Sequence, residues 1–124
     1  MSAPRRPAPS AFEATVFEAL LHGARTAPET ALRWRFLEAA HVVGQRHFVP
    51  HVRTHWAMLV LALRTRDGRE AVGQLARLLL TPLGHLSGRL PLGNPGRATV
   101  GAFQPMPVRA DLAVLIEQVR AAVA

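Results

Sequence analysis

The sequence of 124 residues contains no cysteine, no tyrosine and no lysine. The missing cysteines exclude disulfides, thiolate nucleophiles, iron–sulfur clusters and thiolate-bound structural zinc, so any metal must sit on His, Asp or Glu. Nucleophilic catalysis has little support. There is no Gly-x-Ser-x-Gly, and Ser87, within Leu86-Ser87-Gly88, lacks the strand–turn–helix setting of an activated serine. Leu92-Gly93-Asn94-Pro95-Gly96-Arg97 faintly resembles a phosphate loop, but it lacks the Lys-Ser/Thr ending. Long apolar runs are also absent. Arg64 and Arg66 close the longest candidate and Thr81-Pro82 the next, so no membrane span is expected, and Met1 to Ser10 has no signal-peptide core. These absences lead us to expect a cytoplasmic protein.

What is present is an arginine-rich, apolar chain. All 15 basic residues are Arg against 8 acidic ones, for a net charge of +7. The arginines are scattered from Arg5 to Arg120 without a dense run, which describes a basic soluble protein better than a nucleic acid binder. A hydrophobic content of 49% suffices for one core, so we expect a disordered leader over 1–10, with three prolines, and a single helical domain over 11–124.

Helical spacing dominates the pattern. Ser10-Ala11-Phe12-Glu13 reads as a capping box for a first helix carrying Phe12, Val16, Ala19 and Leu20 up to Gly23. Thr26-Ala27-Pro28-Glu29 repeats the device for a second helix to Val43, with Gly44 as a left-handed terminator. Pro50 opens a third helix that ends at Arg64-Thr65-Arg66. Asp67-Gly68-Arg69-Glu70 is another capping box. It starts a fourth helix in which Val72, Leu75, Leu78 and Leu79 are expected to face inward until Thr81-Pro82. Residues 82–107 hold five glycines and five prolines and read as one irregular segment wrapped on the bundle. A last helix follows from Val108 to Ala124. The expected fold is therefore all-α: a small bundle of about five helices with a tetratricopeptide-like helical hairpin at its start and a Gly/Pro-rich segment packed across it.

The chemistry concentrates between positions 38 and 55. Glu38 and His41 are spaced i, i+3, and His51 and His55 i, i+4, so each pair shares a helix face. A short turn between the two helices brings all four to one end of a hairpin. This is a candidate metal site of His41, His51 and His55, with Glu38 as fourth ligand or as a group orienting a histidine. Such a set suits a divalent transition metal, zinc or iron foremost, in a catalytic, sensing or carrying role. His85 is a further candidate, as reserve ligand or acid/base group. Glu38-x-x-His41 is also half of a ferritin-like di-metal arrangement, which a homodimer or Glu13 and Glu18 would have to complete. The alternative is a metal-free interaction module whose histidines are structural and whose arginine-rich surface or irregular segment meets a protein partner.

Four stretches, His41 to Arg46, Pro50 to Trp56, Leu92 to Ala98 and Phe103 to Pro107, resemble the small bacterial proteins catalogued as domain of unknown function 3703. The resemblance covers nearly the whole chain after the leader and brings no activity with it. Where that family typically has Asn-Thr-Gly, this chain has Asn94-Pro95-Gly96, so a hydroxyl role at that position cannot apply.

Overall fold

The computed structural model describes residues 11–124. It contains five helices: α1 (Ala14–Thr26), α2 (Thr30–Gly44), α3 (Phe48–Arg64), α4 (Gly68–Ser87) and α5 (Ala110–Val123). Among the described residues there is no strand, and no helix is long and apolar enough to cross a membrane. Each of the first three helices packs on the next, and α5 returns to α1 and α2. Phe17, Leu20, Met58 and Leu112 are wholly buried where these layers meet, each contributing about 1.5–3 kcal/mol of transfer free energy.

Local signals and observed boundaries differ in instructive ways. The expected leader and Ser10 lie outside the described residues. Glu13 makes no side-chain cap on α1, and its carboxylate instead pairs with Arg120, tying α1 to α5. Thr26 does not open α2, because its hydroxyl donates to the His22 carbonyl and closes α1 instead, three residues beyond Gly23. Gly44 has no positive φ; it is small because the Phe17 ring and Pro50 pack where its Cβ would stand. Helix α3 begins two residues before Pro50, which falls in the first turn, where its missing N–H is harmless.

Helix α4 corrects the reading most. It does not stop at Pro82 but runs on to Ser87 and ends at Gly88, whose φ of +73° supplies the left-handed cap. His85 is consequently a helical residue. The helix is also turned around: Val72, Leu75 and Leu79, expected inside, are exposed, while Glu70, Gln74 and Thr81 are buried. The segment from Gly88 to Arg109 is irregular and lies across the inner side of α4, with Ala98 against Gly73 and the Phe103 ring against Gly84.

Candidate metal centre

His41 comes from the last turn of α2, and His51 and His55 from the first turns of α3. The three-residue turn between the helices forces these ends together, and i, i+4 spacing places both α3 rings on the side facing α2. The result is a buried triangle of Nε2 atoms. Its edges are 3.0 Å from His41 to His51, 3.2 Å from His41 to His55 and 3.1 Å from His51 to His55. These three side chains form a group that could hold a metal ion.

The outer nitrogens decide the protonation of the inner ones. His41 Nδ1–H donates to the Asn94 carbonyl at 2.5 Å, an atom that can only accept, so His41 Nε2 carries a lone pair. Gln74 Nε2 donates to Glu70 Oε1 and to the Gly96 carbonyl, which leaves Gln74 Oε1 to accept from His55 Nδ1–H at 2.7 Å. His55 Nε2 is therefore also a bare lone pair. His51 Nδ1 lies 2.9 Å from His85 Nε2, a contact that works with the proton on either ring. A single proton on His51 Nε2 could bridge toward its neighbours, but the edge between His41 and His55 would still set one lone pair against another.

Electrostatics point the same way. Burial, followed by the neighbouring imidazoles, pushes the pKa of His41 well below its ordinary value and that of His51 down to about 3. Burial lowers His55 to about 4 despite its bond to Gln74. Burial also lowers His85, on the more open side. Near neutral pH the trio is uncharged and ready to donate electron pairs.

The irregular segment closes the site. Gly96, with φ of +86°, rests on the His41 ring so closely that a Cβ there would stand 2.6–2.9 Å from three ring atoms. Asn94 shapes this turn: its Oδ1 accepts from Gly96 N–H, and its Nδ2 donates to the carbonyls of Gly101 and Gln104. Gln45, with its amide oriented to satisfy both ends, donates to the Pro91 carbonyl and accepts from Gly93 N–H. Arg97 then stacks on Trp34 at 3.8 Å and donates to Glu70 at 2.7 Å. The stretch that faintly resembled a phosphate loop is thus the lid of the histidine cluster.

Glu38 is not brought to the cluster. Its buried carboxylate meets Arg97 at 3.3 Å and Arg109 at 2.7 Å, which anchors the segment near its middle and at its far end. Nor do Glu13 and Glu18 approach, being paired with Arg120 and Arg53, so these carboxylates do not complete a di-metal arrangement. His85 backs His51 from behind, through Nδ1 and not on the Nε2 side. His47 is exposed beside Phe12, and His22 is exposed on α1. Sequence spacing does not single out Gln74, Asn94 and Glu70 as site residues. A sign was available for two of them, since Glu70 and Gln74 form an i, i+4 polar pair on a helix otherwise rich in leucine.

Residues 11–116 match the family model described as Protein of unknown function (DUF3703). No curated protein and no solved structure matches the chain.

Proposed function

The chain belongs to the DUF3703 family, and we propose that it binds one divalent transition metal ion through Nε2 of His41, His51 and His55. The observation that carries this reading is the tautomer assignment: two of the three converging nitrogens have their protons committed to acceptors on the far side of the ring. Three neutral donors facing one point are a ligand set; without a cation, the same arrangement is repulsive. An ion with Zn–N bonds of ~2.0–2.1 Å and tetrahedral angles spaces its ligands ~3.3–3.4 Å apart, so the triangle needs to open by only a few tenths of an ångström.

The groups behind His41 and His55 suit the same role, because carbonyl and amide oxygens that accept from Nδ1–H fix ring orientation and raise basicity at Nε2. An all-imidazole set without carboxylate or sulfur favours zinc over iron in our reading, and it leaves a tetrahedral ion one open position. A void of about 10 Å³ bordered by His51, His55 and Arg77 lies beside two of the three rings and has room for about one water-sized ligand. Zinc held this way supplies Lewis-acid chemistry toward water or a polar oxygen. Arg77, held by the carbonyls of Gly73 and Val100, adds positive charge beside that void and would favour an anionic ligand.

The test is elemental analysis of untagged protein, repeated on His41→Ala and His55→Ala. One equivalent of metal in the native chain, lost in both variants while circular dichroism still reports helix, supports the reading. A native chain that holds no metal and takes up none from micromolar zinc, iron or nickel overturns it, and leaves the histidines as a structural network.

A further inference from the structure

The outer side of α4 carries Val72, Leu75, Leu79, Leu83 and Leu86, exposed by 51–85%. At 100° per residue these five fall within a stripe about 80° wide and about 21 Å long. Every exposed residue from 71 to 88 is uncharged. No other described part of the chain covers this stripe, although the protein buries ordinary aliphatic residues elsewhere.

The spacing of the stripe identifies its occupant. Around Leu79 the positions fall at minus seven, minus four, zero, plus four and plus seven, which reads the same in both directions. An antiparallel copy related by a two-fold axis through Leu79 would therefore set Val72 against Leu86, Leu75 against Leu83 and Leu79 against itself. An isologous interface requires this reciprocity, in which residue i meets j and j meets i. A partner recognised by charge has no guanidinium to meet on this face.

We propose that α4 is a homodimer interface, packed antiparallel against α4 of a second copy. Five aliphatic side chains this exposed present on the order of 500 Å² per copy, and the two faces together reach the ~1,000 Å² that marks the lower bound of a specific interface. Arg69 and Arg89 stand beyond the two ends of the stripe, so like charges gather at the rims. Added salt therefore tightens the dimer, opposite to an interface held by ion pairs.

Sedimentation equilibrium of the full chain at micromolar concentration tests the proposal. The expected native mass is twice the 13.5 kDa of the chain. Leu79→Glu sets two carboxylates together on the axis, and it weakens the dimer by at least tenfold while leaving helix content unchanged. Leu75→Glu alone weakens it similarly. The double variant L75E/L83R restores it, because each new carboxylate then faces a new guanidinium across the axis. A monomeric native chain, dimers indifferent to these substitutions, or a double variant no better than the single would each overturn the antiparallel α4 interface.

Discussion

Helices α1 and α4 are built from similar residues and face opposite ways. Helix α1 is conventional: Val16, Phe17, Leu20, Leu21 and Ala24 are buried, and its charged Glu18 looks outward to Arg53. Helix α4 buries Glu70, Gln74 and Thr81 and exposes five aliphatic side chains. Amphipathicity alone would turn it over. It stays inverted because its inner polar groups are fully partnered: Glu70 by Arg97 and Ala98 N–H, Gln74 by His55 and Gly96, Thr81 by the Arg77 carbonyl. Buried polar groups are tolerated when satisfied, and here they are satisfied by the lid and the histidines. The difference between the helices is thus one of role. Helix α1 supports the core, whereas α4 supports a site on one side and offers an apolar face on the other.

The contrast can be broken most severely at the lid that partners α4. Gly96→Val must accommodate both a left-handed backbone and the His41 ring, and it should cost about 3 kcal/mol in urea denaturation. A loss under 1 kcal/mol, on that same scale, would mean that the lid is not seated on the cluster. Next come matched substitutions on the two helices. Glu70→Gln removes a buried charge beside Arg97 and should cost about 2 kcal/mol. Glu18→Gln, the same change on α1, is expected at the small end, within about 0.5 kcal/mol. Equal losses would mean that α4 does not depend on its buried carboxylate any more than α1 depends on its exposed one.

Between these extremes lies a pH effect. His51 and His55 titrate at about 3 and about 4 when folded, below the ordinary 6.5 that they regain on unfolding, and His41 shifts in the same direction. The unfolded chain therefore binds protons first as pH falls. Stability is fully present above about 6.5 and declines below it, each histidine adding up to about 1.4 kcal/mol per pH unit until its folded form is also protonated. Denaturation midpoints that stay flat between pH 7 and 5 would show that the trio is not held neutral.

The histidine trio was legible because its signals are local: an i, i+4 pair, a neighbouring helix end and a turn too short to separate them. Its surroundings were less so. Glu38 shares a helix with His41, but its partners Arg97 and Arg109 lie far along the chain, and no spacing rule connects them. Pro82 reads as a stop, yet α4 continues to Gly88, where a left-handed residue ends it. The inward reading of Val72, Leu75 and Leu79 failed for a physical reason. Periodicity identifies an apolar face, but it cannot tell a face that meets the core from one left for a partner. The five-helix, all-α architecture was readable from the 3.6-residue spacing and the turn residues between runs.

The central claim is that unprotonated Nε2 atoms of three histidines converge on one ion. Long-range proton–nitrogen correlation spectra of the imidazole rings, recorded near neutral pH before and after one equivalent of zinc, test it most directly. In the metal-free protein His41 and His55 should carry their proton on Nδ1, and zinc should shift the Nε2 resonances of His41, His51 and His55 together, with saturation at one equivalent. Protons on Nε2 of His41 or His55, or three ring spectra indifferent to zinc, would contradict it.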